Sequence, residues 1–157
     1  MSVANEINHL INQIYTAELI LKGFHVRPRA YGDTVLYDSE THTLEVIADN
    51  EGITQTQLGE LTFRTKGATS IMVDKLIQKG LVYQQRDENN RRRCQLFLTE
   101  LGRTVNKAHK AYDAAHSERI AALSGIDEED LHEVNETLSH LIDVYMQFFK
   151  NESAQQR

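Results

Sequence analysis

Apolar residues recur at three- and four-residue steps from the start of the chain. Ile7, Leu10, Ile11, Ile14, Ala17 and Leu21 form the stripe of an amphipathic helix, and Gly23 offers it a stop. Residues 24–38, with Pro28 and Gly32, lose that period and read as a connection. Ser39 opens a second helix with Leu44, Ile47 and Ala48 inward, and Asn50-Glu51-Gly52 ends it. Thr54 and Gln57 have capping-box spacing, which predicts a short helix burying Leu58 and Leu61. Phe63-Arg64 reads as a turn without the glycine often found there. Thr65 can cap the next helix, which carries Thr69, Met72, Val73 and Leu76 inward and stops near Lys79-Gly80. Two short helices joined by a tight turn predict a helix-turn-helix.

The period then changes to two. Residues 81–86 and 93–98 alternate in strand fashion around the polar stretch DENNRR, which predicts a β-hairpin. Cys94, Leu96 and Leu98 share one face of its second strand, so Cys94 is expected to be a buried, inert thiol. A helix-turn-helix followed by a hairpin tipped with Arg91 and Arg92 is a winged helix. Thr99 caps a long helix running to about Leu123, and Asp127 starts a last one, with Glu128, Glu129 and Asp130 favouring its dipole. Leu131, Val134, Leu138, Leu141, Tyr145 and Phe148 follow a heptad seam, and Ile142, Val144, Met146 and Phe149 widen it. A second copy of the chain is a natural cover for so broad a surface, although a core helix fits the same pattern. The fold class expected is mainly α with a small β-hairpin wing. It forms a single domain over residues 1–157: residues 39–98 make the winged helix-turn-helix, and 1–38 and 99–157 make a helical dimerisation region.

Length and composition suit one compact domain: 157 residues, 40% hydrophobic and 25% charged. The net charge of -6 argues against a simple polycation. The distribution changes that picture. Between Thr54 and Arg93 lie Arg64, Lys66, Lys75, Lys79, Arg86, Arg91, Arg92 and Arg93, against only Glu60, Asp74, Asp87 and Glu88. A basic middle between acidic ends suits docking to a polyanion, although a solvated charged face has the same composition. One cysteine permits no intramolecular disulfide, and no apolar run or leader pattern points to a membrane, so a cytoplasmic location is expected. No P-loop, G-x-S-x-G, H-E-x-x-H or dinucleotide loop appears, and no enzymatic activity is expected. A winged helix that docks protein instead of DNA would need a neutral, apolar recognition face; Lys66, Lys75 and the arginine run oppose that.

Four pieces together resemble the MarR family of bacterial transcription regulators: ITQTQLGEL, the run TSIMVDKL-x-x-KGLV, the wing tip D-x-x-N-R-R and the LTELG that opens the following helix. The resemblance is ungapped over residues 53–103, and the flanking helices fit the family in order and length. Asn90 stands where the family's wing usually has a second acid. The resemblance implies a homodimer that binds double-stranded, pseudo-palindromic operator DNA, most often as a repressor. Its recognition helix would enter the major groove through Thr65, Lys66, Gly67 and Ser70, with Lys75 near the backbone. Gly67 would allow a close approach. Thr54 and Gln55 would face a phosphate. By the same resemblance Arg91 would enter the minor groove, Asp87 would brace it, and Arg92 would touch phosphate or stay solvated.

Family members commonly hold an effector between the dimerisation helices and the winged helix, and two chemistries are open. SETHTLEVI is similar to the second helix of the family's fatty-acid-synthesis repressors, which carry histidines matching His42 and His109 and respond to acyl carrier protein bearing an acyl chain. His25, Arg27 and Arg29 would place basic groups near an anionic head group. This acyl or organic-anion reading is favoured over a metal. His109, Asp113 and His116 follow i, i+4, i+7 spacing and could present zinc ligands with His42; the pattern resembles the family's zinc-sensing branch, whose metal residues match His42, His109 and Asp113. The chain lacks the matching glutamate or cysteine of that branch in its first helix and loop. The two histidines could equally hydrogen-bond each other or nearby backbone. No cofactor is required by either reading. Arg91→Ala is expected to weaken DNA binding by roughly 1–3 kcal/mol in a salt-controlled titration; unchanged affinity would remove Arg91 from the interface.

Overall fold

The structure, a computed structural model, describes residues 2–25, 27–86 and 94–155. Contacts divide the chain into two compact units, residues 1–112 and 113–157. The first contains α1 (Val3–His25), β1 (Arg29–Tyr31), β2 (Thr34–Leu36), α2 (Asp38–Asp49), β3 (Ile53–Thr54), α3 (Gln55–Leu61), α4 (Lys66–Gln78), β4 (Val82–Arg86), β5 (Cys94–Leu98) and the start of α5 (Glu100–Ser124). The second holds the end of α5 and α6 (Glu128–Gln155). The molecule is thus mainly helical with a small antiparallel wing, as the sequence pattern predicts.

The core of the first unit lies where α2, α3 and α4 meet the sheet. Leu44 and Ile47 of α2, Leu58 of α3, and Val73 and Leu76 of α4 pack with Leu81, Val82, Leu96, Leu98 and Val105. Burying such side chains contributes about 1.5–3 kcal/mol each. The sheet order is β3-β5-β4, with Val82 opposite Leu98, Gln84 opposite Leu96 and Ile53 opposite Leu96 on the other side.

Several local expectations change. The connection at 24–38 contains a hairpin, β1 with β2, turned by Gly32 at a φ of 60°. The strands are three residues long, too short for a period-two pattern to register. β3, only two residues, is equally invisible to periodicity. α1 runs through Gly23, and Ile14, Ala17 and Leu21 of its stripe are exposed. Leu61 is 54% exposed because α3 ends there and its buried side is carried by Leu58 and Gly59. Met72 is half-buried. Cys94 is exposed: it shares the face of Leu96 and Leu98, but its pair with Arg86 is the last in the ladder, beyond the edge of the core.

Polar ties fix the helices. Glu40, nearly buried at the third position of α2, accepts the Tyr37 N–H at 2.8 Å and the Lys79 ammonium at 2.8 Å. Lys79 sits at the C-terminal cap of α4 and also donates to the Val35 carbonyl at 2.9 Å. On α5, Arg103 donates to Glu51 at 2.7 Å, and Lys110 to Asp49 at 2.8 Å. Those hydrogen bonds, helped by the carboxylate charges, hold both cations above their ordinary pKa values.

Two glycines mark close approaches. A Cβ at Gly59 would meet Thr69 Oγ1 at 2.9 Å, so α3 and α4 cross there. A Cβ at Gly102 would run into the Leu81 carbonyl, a backbone group that cannot step aside. Gly102→Ala should therefore lower stability by roughly 2–3 kcal/mol in denaturant titration, against the small gain that alanine brings to an unobstructed helix. Lys79→Met should cost roughly 2–4 kcal/mol by stranding the Glu40 carboxylate, and Glu40→Gln in the same chain should recover part of the loss.

Candidate nucleic-acid interface

The helix-turn-helix is built from its caps outward. Thr54 Oγ1 accepts the Gln57 N–H at 3.3 Å, while Gln57 Oε1 accepts the Thr54 N–H at 3.0 Å, the capping box its spacing predicts. Thr65 Oγ1 accepts the Ala68 N–H at 3.3 Å and starts α4. Between them the turn closes through the Arg64 N–H donating to the Gly59 carbonyl at 2.9 Å. The Arg64 guanidinium donates to Thr43 Oγ1, buried on α2, which in turn donates to the Ser39 carbonyl at 2.6 Å. The turn is thereby anchored to α2. It needs no glycine because Phe63 itself adopts a left-handed φ of 52°.

α4 has two faces. Thr69, Val73 and Leu76 are buried. Thr65 at its cap, and Lys66, Gly67, Ile71, Asp74 and Lys75 on the helix, are exposed, with Ser70 half-buried beside them. The sequence-predicted residues Thr65, Lys66, Gly67, Ser70 and Lys75 therefore lie on or beside the uncovered side of this helix. Gly67 has open space around it, as a close approach by another molecule requires. Thr54 and Gln55 are half-buried at the start of α3. An open cleft of about 490 Å³ runs between the two helix starts, lined among others by Gln55, Thr56, Phe63, Thr65 and Lys66. Glu60 also lines it, so its charge is mixed.

The predicted wing contacts Asp87, Arg91 and Arg92 lie outside the described residues. The described strands β4 and β5 lie beside α3: Gln84 and Cys94 share a cavity with Thr54, Gln55 and Gln57. Sequence reasoning passed over Ile71, Thr56 and Phe63. Ile71 was readable, since the inward set at 69, 73 and 76 leaves 71 outside.

The predicted effector residues are partly brought together. The Arg29 guanidinium lies 3.6 Å from the centre of the Tyr112 ring and donates to Tyr31 Oη at 3.3 Å. Tyr31 Oη in turn shares a 2.9 Å hydrogen bond with Nδ1 of His109, which is 4% exposed. His109 thus pairs with Tyr31, not with His42, which is exposed on α2. Arg27 is exposed, and the His25 side chain lies outside the described residues. Asp113 and His116 belong to the second unit and are exposed on α5. Among the described residues, no group of three or more His, Cys, Asp or Glu side chains is placed to hold a metal ion. No helix among them is long and apolar enough to cross a membrane.

Known proteins supply an independent comparison. Residues 36–93 match the model of the MarR family. The uncharacterised HTH-type transcriptional regulator YhjH of Bacillus subtilis (strain 168) is 28% identical over 82 residues, which cover 52% of this chain and 47% of that one. The chain therefore spans about half the length of that curated relative. Streptococcus pneumoniae FabT, solved in complex with DNA, is similar in structure with a TM-score of 0.69 at 26% identity, covering 92% of this chain and 99% of that one. A MarR transcriptional regulator from Methanosarcina mazei Go1 gives a TM-score of 0.68 at 25% identity, with the same coverage. The family match falls on the winged helix, and the structural likeness extends beyond it to nearly the whole chain. The winged helix of residues 36–93 thus matches the MarR family, within a fold shared with solved transcription regulators.

Proposed function

We propose that the protein is a transcription regulator that binds double-stranded DNA through α4. The observation that carries this reading is the two-sided character of that helix. Its buried side is held against α2 and α3, while Lys66, Gly67, Ile71 and Lys75 are exposed among the described residues. A bare helix about 10–12 Å across fits the roughly 12 Å major groove. The DNA-bound state of Streptococcus pneumoniae FabT, a protein of the same fold, supports it.

On this reading Thr65, Lys66, Gly67 and Ser70 face base edges, and Lys75 meets phosphate. Thr54 and Gln55 lie at the neighbouring helix start, and the wing residues Asp87, Arg91 and Arg92 extend the contact. The regulator works as a homodimer on a pseudo-palindromic operator, with repression as its action. The apolar side chains exposed on α6, among them Val134, Ile142, Val144 and Phe148, support a second copy as their cover. The effector on this reading is an acyl group or another organic anion, drawn to Arg29 beside Tyr31 and His109.

The test is fluorescence anisotropy with a duplex from upstream of the gene, over a salt series. Binding should weaken steeply as salt rises, and Lys75→Ala should flatten the log–log slope by about one unit, with a near-uniform loss across sequences. A loss at one base position only would contradict a phosphate role for Lys75. No salt-dependent binding to any duplex would overturn the reading. Val134→Asp with Ile142→Asp should convert the protein to a monomer in light scattering and lower its affinity for a two-half-site duplex.

A further inference from the structure

Phe63 occupies a position that its residue type does not favour. It takes a left-handed φ of 52°, and every other positive-φ residue among those described, at 32, 52, 80 and 125, is a glycine. A side chain with a Cβ disfavours this region because Cβ crowds the following carbonyl oxygen. Packing among the described residues gives little compensation, since Phe63 is 74% exposed. The turn is held by groups other than the ring: the Arg64 N–H on the Gly59 carbonyl and the Arg64 guanidinium on Thr43. The fold therefore needs the left-handed turn but not the phenyl group that sits on it.

The position of the ring supplies the missing use. Phe63 lies two residues before the cap of α4 and lines the open cleft shared by Gln55, Thr56, Thr65 and Lys66. Those residues surround the starts of both helices of the helix-turn-helix. An apolar ring beside the cations Arg64 and Lys66, with Glu60 the one acid lining the same cleft, suits a DNA edge, which offers apolar surface, either thymine methyl groups or sugar faces, between its phosphates.

We propose that Phe63 is a DNA-contact residue whose ring meets apolar surface of the duplex at the edge of the major groove. This rests on the DNA-binding reading above. It adds a contact outside the recognition helix, one that reads shape and methyl groups instead of hydrogen-bonding edges.

The experiment compares wild type with Phe63→Gly and Phe63→Asn, two residues that accept a left-handed φ. Each is melted, and each is titrated against the tightest duplex that the wild type selects from a random-sequence 30-base-pair pool. Both variants should melt at or above the wild-type temperature, by up to about 4 °C. Both should bind the selected duplex roughly fivefold or more weakly. Repeating the titration with uracil in place of thymine separates the two sources. Wild-type affinity falling to that of the variants identifies thymine methyls, and a persisting difference identifies sugar faces; either supports the contact. Unchanged affinity of the variants would overturn it. So would a melting temperature that falls along with affinity, because the ring would then be serving the fold. A wild type that selects no duplex would instead overturn the DNA-binding reading and the contact with it.

Discussion

The winged helix is organised around one carboxylate. Glu40 reaches back to the Tyr37 N–H at the start of α2 and across to the Lys79 ammonium at the end of α4, and Lys79 also holds the Val35 carbonyl at the end of β2. The junction of β2 with α2 and the end of α4, 39 to 44 residues apart in sequence, are thereby fixed at a single point. A nearly buried carboxylate is costly unless paired and hydrogen-bonded, and here it is both. The geometry of α4 follows from this point and from a second one: the Arg64–Thr43 bond anchors the turn before α4, as Lys79 anchors its end. The helix is tied to α2 near both ends, and its outer side is left open.

That arrangement separates stability from recognition. The apolar side of α4 joins the core through Thr69, Val73 and Leu76, and Gly59 lets α3 come within contact of Thr69. The outer residues contribute little to the core, which leaves them free to vary with a partner. Phe63 is the point where the two demands conflict, since its side chain works against the backbone that carries it.

The Arg29–Tyr31–His109 group shows the same economy in another place. Tyr31 comes from a strand of three residues and His109 from the middle of α5, and their hydrogen bond fastens the small hairpin to the long helix. Tyr31 Oη accepts from Arg29 and shares its other hydrogen bond with His109 Nδ1, where the tautomer of the imidazole sets which atom donates.

Much of this was legible in the residues. The capping box of Thr54 and Gln57, the cap at Thr65, the inward set Thr69, Val73 and Leu76, and the alternation of the wing strands are local rules, satisfied by neighbours a few positions away. So were the outward positions Lys66, Gly67 and Lys75, because the inward set leaves them no other side. Other features were decided by tertiary structure, since they depend on partners remote in sequence. Cys94 follows the alternation of its strand, but where the core ends decides that it is exposed. The β1–β2 hairpin and the dipeptide β3 are too short to show a period and exist through pairing. His109 has zinc-ligand spacing along α5, yet Tyr31, 78 residues away, is what its Nδ1 meets. Helix and strand periods report on the one face each element must bury; which atoms meet across the fold is set by packing, which no local pattern encodes.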